Sequence, residues 1–189
     1  LKALKCPKNE LYMADSGTSM RLLLGILAGQ DFKAVLKADE SLSKRPMKRV
    51  TEPLVMMGAE ISGRDDANFA PIEVKGGALK SIDYSTAVAS AQVKSAILLA
   101  GLYARGITKV TEPSKSRDHT ERMLKAFGAK VFEKGLSVSV EGRPVLSAQN
   151  ITVPGDISSA AFFIVAAALL KNSELIIRSV SLNPTRTGL

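Results

Sequence analysis

The segment 14–21 places hydroxyl side chains and a glycine at the start of an apolar helix, an arrangement that can bind an anion. Ser16, Thr18 and Ser19 supply the hydroxyl groups, and Gly17 lets a ligand approach the backbone. The first backbone N–H groups of a helix have no partner within the helix and carry the positive end of its dipole. A phosphate or carboxylate group would therefore bind well at this position.

The alternative is that Asp15 or Ser16 only caps a buried helix, since both residue types are preferred caps. Repetition favours the anion site: serine-led apolar segments also run over 90–102 and 158–165. We expect the first two of these helices to be buried beneath sheets, because they are apolar nearly all round, with their N-termini at one face. Each of the three is followed by a loop with a basic side chain, namely Arg45, Arg117 and Arg186.

These loops belong to an internal repeat of about seventy residues, which is long enough for a small module of strands and helices. In the first copy Pro46 suits a first helical turn and Gly58 ends the helix. In the second copy Asp118 and Glu121 predict a capping box, and Gly128 ends the helix. The apolar positions at helical spacing are Met47, Val50, Leu54 and Met57 in the first copy, and Met123, Leu124 and Phe127 in the second.

Runs rich in β-branched and aromatic residues between the helices predict strands. The predicted strands are 32–37, 72–74, 107–111, 136–140, 151–153 and 175–180. The alternation of strand and helix, with extra strand pairs, places the fold in the α/β or α+β class. Lys94 falls within the second buried helix, and we expect its stem to follow apolar surface while its ammonium reaches the rim.

The composition favours a globular chain that binds anions. The 189 residues are 46% hydrophobic, which is enough for a substantial core and makes disorder improbable. The net charge of +8 favours anionic partners. Nucleic acid is disfavoured, because the chain has no Trp and only 5% aromatic residues, with no stacking motif among its lysines.

Other classes of protein are also disfavoured. A single cysteine, Cys6, excludes an internal disulfide and fits the reducing cytoplasm. The longest apolar stretch, 160–170, is too short to span a membrane, and no signal segment opens the chain. His119 is the only histidine, and a lone histidine in a capping segment is more often structural than catalytic. The carboxylates do not cluster as metal ligands. No phosphate-binding glycine motif of the Walker or dinucleotide type occurs.

Six motifs occur in order along the whole chain: 15–21, 39–47, 90–95, 117–121, 155–160 and 183–188. Together they resemble the 5-enolpyruvylshikimate-3-phosphate synthase family, in the bacterial class that includes glyphosate-tolerant enzymes. The resemblance implies a transferase that moves the enolpyruvyl group of phosphoenolpyruvate to the 5-hydroxyl of shikimate-3-phosphate, on the pathway to aromatic amino acids, without metal or organic cofactor. It also implies a cytoplasmic monomer of two lobes, each made of three βαβαββ units.

On this resemblance, residues 1–154 are part of the first lobe, with about two units, and residues 155–189 open the second. The chain then covers less than half of such an enzyme, both of its ends are cut, and the acid and base residues lie outside it. We therefore expect no catalytic residue here and no activity from this chain alone.

The resemblance also assigns substrate contacts position by position. The residues that would hold shikimate-3-phosphate are Ser90, Ala91, Gln92 and Arg117. The residues that would hold phosphoenolpyruvate are Asp15, Gly17, Thr18, Arg45 and Gln92.

Three positions depart from the family pattern, which has glycine, asparagine and glycine where this chain has Ala14, Asp15 and Ala38. Asp15 would place a negative charge near a bound carboxylate, so either it turns away to cap the helix or it weakens binding of phosphoenolpyruvate. Gly17 adds no methyl group that would obstruct the inhibitor glyphosate. We therefore expect glyphosate to inhibit the intact parent enzyme.

Two other functions stay open at this stage. One is an enolpyruvyl transferase that acts on a UDP-sugar, which would share the fold but lack the motifs at 44–47 and 117–121. The other is a non-catalytic basic module that binds anions.

Overall fold

The computed structural model describes residues 4–185, which form two units with the same order of strands and longer helices, followed by a further helix. The first unit has in addition a 3₁₀ turn at Leu42–Lys44 and a four-residue helical turn at Arg64–Ala67. The first unit comprises β1 (Leu11–Tyr12), α1 (Gly17–Leu27), β2 (Lys33–Lys37), α2 (Lys48–Met56), β3 (Glu60–Gly63) and β4 (Phe69–Lys75). The second unit comprises β5 (Asp83–Ser85), α3 (Ala91–Gly101), β6 (Ile107–Thr111), α4 (His119–Ala126), β7 (Val131–Lys134) and β8 (Ser137–Glu141). The further helix is α5 (Ile157–Leu169).

The two sheets have the same strand order and the same pairing. The first runs β1-β2-β4-β3 and the second β5-β6-β8-β7. In each sheet the first pair is parallel and the other two pairs are antiparallel. A parallel pair needs a crossover connection, which α1 supplies in the first unit and α3 in the second. The predicted mixed class of strands and helices is confirmed.

The apolar helices α1 and α3 pack against each other and contribute heavily to the core. In α3, every residue from Val93 to Leu98 is buried, and in α1 Met20 and Leu24 have no exposed surface. The backbones approach so closely that a Cβ atom on Gly25 would lie 2.2 Å from the carbonyl oxygen of Ala96. This contact fixes the two helix starts relative to each other, and the predicted burial of both helices is confirmed.

The helix α2 agrees with its prediction in detail, since Met47, Val50, Leu54 and Met57 are fully buried and Gly58 ends the helix at a φ of +108°. One difference is that Met47 is the N-cap, so that Pro46 precedes the helix rather than lying in its first turn.

The helix α4 agrees only in part. Gly128 ends it at a φ of +92° and Leu124 is buried, as predicted. Met123, however, is exposed, and the Asp118 side chain makes no capping hydrogen bond. The predicted capping box is therefore wrong, because both of its carboxylates have other partners, which are described below.

The predicted strands within the two units are confirmed to within a few residues, but two later ones are wrong. Residues 151–153 form no strand, and 175–180 contribute only an isolated bridge between Gly155 and Val180. Neither segment has a sheet neighbour among residues 4–185, and a single run of residues gains no ladder hydrogen bonds without one. The short strands β1, β3, β5 and β7 were not predicted.

The third apolar helix, α5, differs from the other two. Its N-cap is Asp156, which accepts a hydrogen bond from the Ser158 N–H at 3.2 Å, so the helix is not led by serine. Only Ala160 is buried, whereas Phe162 is 79% exposed. No helix between residues 4 and 185 is long and apolar enough to cross a membrane.

The turn before α1 contains a backbone conformation that favours glycine, the residue that the family pattern has where this chain has Ala14. Ala14 has a φ of +47°, in the left-handed region where only glycine is free of the Cβ clash. Its carbonyl oxygen accepts a hydrogen bond from the Asp39 N–H at 2.9 Å, which ties the turn to the end of β2. Ala38 has no positive φ, so the backbone does not require glycine there.

We expect Ala14→Gly to raise the free energy of unfolding by up to about 1 kcal/mol, because it relieves this clash at some cost in chain entropy. Ala38→Gly is the matched control and is expected to lower it by about 0.5–1 kcal/mol, since it adds freedom to the unfolded chain and removes a partly buried methyl group. Urea denaturation of both variants gives the comparison. Equal losses in the two variants would contradict the strain at Ala14.

Candidate functional site

The starts of α1 and α3 meet at Gln92, which lies in the first turn of α3. Its side-chain N–H donates to the Thr18 hydroxyl at 2.7 Å, and its amide oxygen accepts from the Arg21 guanidinium at 2.7 Å. Both polar ends of this side chain are therefore held by α1. The two units are joined by hydrogen bonds at the point where their free helical N–H groups converge.

Both helices have serine caps, as their sequences suggest. The Ser16 hydroxyl accepts from the Ser19 N–H at 3.2 Å, and the Ser90 hydroxyl accepts from the Val93 N–H at 3.4 Å. Asp15 is exposed and is not the cap. Of the two outcomes considered for Asp15, capping is therefore wrong.

Arg21 links this junction to the loop that carries Arg45. Its guanidinium also donates to the Pro46 carbonyl oxygen at 3.2 Å. The pKa of Arg21 is lowered, first by burial and then by the positive charges of Arg49 and Arg45. Arginine stays protonated at neutral pH regardless, so the three guanidinium groups form a region of positive charge that an anion would stabilise.

Gly17 leaves room for Arg21. A Cβ atom at this position would lie 2.8 Å from a guanidinium nitrogen of Arg21 and 3.3 Å from the side chain of Leu42. Any side chain here would therefore press on the arginine that orients Gln92. The space that Arg21 occupies favours glycine here, whereas the backbone conformation does not, because the φ of Gly17 is not in the left-handed region.

Two cavities share the start of α3 and Arg117 as part of their walls. The smaller, of about 130 Å³, extends towards Thr18 and His119. The larger, of about 480 Å³, extends towards Lys115 and Ser116. The residues that line both are Ala91, Gln92 and Arg117.

The end of the described chain packs against the start of α4. The Asn183 side chain donates to the Asp118 carboxylate at 2.7 Å, and the Arg122 side chain donates to it at 2.8 Å. Burial alone would raise the pKa of Asp118, but these hydrogen bonds outweigh it and hold the pKa below its usual value. Asn183 accepts from the backbone N–H of Thr185 at 2.9 Å, which places Thr185 at the wall of the larger cavity.

A buried ion cluster that includes Lys94 lies beneath the cavities. The sequence predicts instead that the Lys94 ammonium reaches the rim of the apolar surface. Lys94 is only 3% exposed, and its ammonium lies 2.8 Å from the Glu112 carboxylate and 2.7 Å from the Glu121 carboxylate. The prediction for Lys94 is therefore wrong, and Glu121 faces this ammonium instead of capping α4. Burial alone would lower the pKa of Lys94, but the hydrogen bonds and charges of the two glutamates raise it.

The structure brings most, but not all, of the predicted contacts together. The predicted residues that line one or both cavities are Thr18, Ser90, Ala91, Gln92 and Arg117. Gly17, Asp15 and Arg45 line neither cavity, although Gly17 lies at the start of α1 beside Arg21. Arg186 and the rest of its motif lie outside the described residues.

Sequence reasoning missed several residues of this site. Arg21 was quoted within a motif without a role, although its position one turn after Gly17 could have indicated one. The other missed residues that line the smaller cavity are Leu22, Ser95, His119 and Thr120. His119 and Thr120 belong to the motif at 117–121, so the signal for them was present.

Comparison with known proteins gives one consistent result. The family model of EPSP synthase (3-phosphoshikimate 1-carboxyvinyltransferase) matches residues 1–189. The 3-phosphoshikimate 1-carboxyvinyltransferase of Bacillus subtilis strain 168 is 59% identical over the whole chain, which covers 44% of that protein. The corresponding protein of Geobacillus thermodenitrificans strain NG80-2 is 59% identical over 98% of the chain and 43% of its own length.

Solved structures agree. EPSP synthase from Acinetobacter baumannii superimposes with a TM-score of 0.89 at 53% identity, over 99% of this chain and 42% of that one. The enolpyruvyl transferase NikO from Streptomyces tendae, at 14% identity and a TM-score of 0.52 over 74% of this chain and 32% of that one, shares the fold alone. The chain thus spans less than half the length of these relatives. It belongs to the EPSP synthase family.

Proposed function

We propose that the protein of which this chain forms part transfers the enolpyruvyl group of phosphoenolpyruvate to the 5-hydroxyl of shikimate-3-phosphate and releases phosphate. The observation that carries the proposal is the meeting of two capped helix starts at Gln92, beside Arg21 and Arg117. Free helical N–H groups and guanidinium groups are the donors that bind phosphates and carboxylates most strongly.

Each substrate is assigned to one side of this junction. Shikimate-3-phosphate is assigned to Ser90, Ala91, Gln92 and Arg117, which line the larger cavity together. Phosphoenolpyruvate is assigned to the side of α1, with Gly17 and Thr18 at the helix start. Arg45 and Asp15, which line neither cavity in this structure, complete the assigned set for phosphoenolpyruvate.

The part of this chain in the reaction is binding and orientation. Holding two reactants in contact geometry removes much of the entropic barrier of a bimolecular step. We assign no acid, base or covalent role to any residue of the chain, and we expect no phosphate release from the chain alone. No group of three or more metal-binding side chains is present among residues 4–185, and we propose no cofactor.

The proposed lobe boundary near residue 154 has structural support. After it, Gly155 exchanges backbone hydrogen bonds with Ser179 and Ser181 at 2.6 and 2.9 Å, so the segment pairs with itself. The contact of Asn183 with Asp118 then ties it to the second unit. We propose that residues 155–189 open a second lobe, and that the full-length protein is a cytoplasmic monomer that glyphosate inhibits.

The test is a titration of the ¹⁵N-labelled chain with shikimate-3-phosphate, followed by the amide shifts of Ser90, Ala91 and Gln92. We expect these shifts to saturate, and Arg117→Met to weaken the affinity by about tenfold or more, because a hydrogen bond to a charged group is lost. Arg105→Met, which changes an exposed arginine beyond the opposite end of α3 that lines neither cavity, is the control and should leave the affinity unchanged.

The same titration separates the alternatives. Saturating shifts with a UDP-sugar but not with shikimate-3-phosphate would assign the chain to the other class of enolpyruvyl transferase. Tight retention on nucleic acid that falls steeply with salt would indicate a basic binding module. Either result would contradict the proposed function.

A further inference from the structure

The cluster of Lys94, Glu112 and Glu121 has no role in the proposed reaction, yet it touches the backbone that forms the site. One oxygen of Glu112 accepts a hydrogen bond from the Ser90 N–H at 3.0 Å. Its other oxygen accepts from the Ser116 hydroxyl at 2.9 Å. This single side chain therefore joins the start of α3 to the loop that carries Arg117, the two segments that form most of the larger cavity.

Glu121 extends the cluster to α4. Glu121 lies in the first turn of that helix, and its carboxylate faces the Lys94 ammonium. On the same side of α3, the hydroxyl groups of Ser95 and Thr120 share a hydrogen bond of 2.6 Å. One group of polar side chains therefore contacts the start of α3, the loop of Arg117 and the start of α4, which are the segments of the second unit that line the cavities.

The first unit of the chain shows that the fold does not need these ions. Met20 lies four residues after the N-cap of α1, as Lys94 does in α3, and is fully buried. Ala38 follows β2 as Glu112 follows β6. Val50 lies three residues after the N-cap of α2, as Glu121 does in α4, and is fully buried too.

Neither stability nor charge explains the ions in the second unit. Well-packed apolar residues stabilise an interior at least as well as a buried ion cluster, which loses its hydration. Two carboxylates and one ammonium also leave a net negative charge beneath a site for anions, which opposes binding instead of assisting it. What the ions provide, and apolar side chains cannot, is directed hydrogen bonding to the Ser90 backbone and to the Ser116 hydroxyl.

We propose that Lys94, Glu112 and Glu121 are positioning residues that hold the start of α3, the loop of Arg117 and the start of α4 in the geometry that binds shikimate-3-phosphate. The identity of this ligand rests on the proposed function above. Glu112 contacts the backbone directly. Lys94 and Glu121 act through it, because the ammonium fixes both carboxylates.

The test replaces the cluster with the residues of the first unit, in the variant Lys94→Met/Glu112→Ala/Glu121→Val. Two single variants accompany it: Glu112→Ala removes both hydrogen bonds, and Glu112→Gln keeps an acceptor for the Ser90 N–H. Lys109→Met, which breaks an exposed ion pair with Asp83, is the control.

The first measurement needs no ligand. We expect amide hydrogen exchange at Ser90, Val93 and Arg122, whose N–H groups are hydrogen-bonded at the starts of α3 and α4, to accelerate by about tenfold or more in the triple variant and in Glu112→Ala, while the amides of α1 and β4 keep their rates. Glu112→Gln should restore most of the protection at Ser90. The second measurement is the affinity for shikimate-3-phosphate, which we expect to fall by about tenfold in the same two variants and not in Lys109→Met.

Three outcomes would overturn the proposal: unchanged exchange at the three amides, faster exchange spread evenly over both units, or full affinity in Glu112→Ala. If the triple variant does not fold, the two Glu112 variants decide the question by the same criteria. If the parent chain does not bind shikimate-3-phosphate at all, the proposed function fails, and the exchange rates still decide whether the cluster positions these segments.

Discussion

Gly25→Ala will lower the free energy of unfolding by about 3 kcal/mol or more, because α1 and α3 touch at this position without room for a methyl group. The added Cβ would lie 2.2 Å from the Ala96 carbonyl oxygen and 2.9 Å from its carbonyl carbon. These are backbone atoms in the middle of a buried helix, so they cannot rotate away as a side chain could. Relief requires the two helices to separate, and the whole core lies between them and the sheets.

The matched control is Gly77→Ala. A Cβ atom at Gly77 would meet nothing within 4 Å, and its φ is not in the left-handed region. We therefore expect a change of less than about 1 kcal/mol, since the substitution acts only through the freedom of the unfolded chain. Urea denaturation at constant m-value measures both variants. Equal decreases in the free energy of unfolding would show that α1 and α3 can move apart at little cost, which would contradict the prediction.

The same substitution should also affect the site, because the packing of α1 on α3 brings the two helix starts within hydrogen-bond distance of each other. If Gly25→Ala still folds, α1 and α3 will be displaced, and the 2.7 Å hydrogen bond between Gln92 and Thr18 will lengthen. A changed side-chain amide resonance of Gln92 would report this. Gly77→Ala should leave that resonance unchanged.

Local patterns were sufficient to predict the helices and the longer strands of the two units. The spacing of Met47, Val50, Leu54 and Met57 identifies one face of a helix, and Gly58 supplies the left-handed residue that ends it. The short strands β1 and β5 have two and three residues, which is too few for a periodic pattern, and they exist because a longer neighbour pairs with them.

Residue types and spacing alone could predict the candidate site only where it depends on the backbone, and the side-chain contacts of Gln92 and Arg117 came from the family resemblance. A serine cap before an apolar helix is visible in the sequence, so Ser16 and Ser90 were found. The partner of a buried charge is not visible, because Glu112 and Glu121 are distant from Lys94 in sequence and only the fold brings them together. Periodicity predicts that position 94 is buried, but it does not show whether the Lys94 ammonium reaches the surface or pairs with a buried carboxylate.

Lys94→Ala will lower the free energy of unfolding by about 3–5 kcal/mol near neutral pH, since it leaves two buried carboxylates without a cation. The side chains of Glu112 and Glu121 are 3% and 1% exposed, so water cannot replace the lost ammonium. The control is Lys109→Ala, whose partner Asp83 is 63% exposed, and we expect it to cost less than about 1 kcal/mol.

The pH dependence of this loss gives a second check. Because the two glutamates raise the pKa of Lys94 in the folded state, its charge stabilises the fold fully below the pKa of an unfolded lysine. That reference pKa is about 10.4, and the stabilisation is lost as the pH rises through the higher folded value. The difference between parent and Lys94→Ala should therefore shrink above about pH 10.4. Urea denaturation from about pH 9 upward measures it, and a difference that does not shrink there would contradict a charged Lys94 in the folded protein.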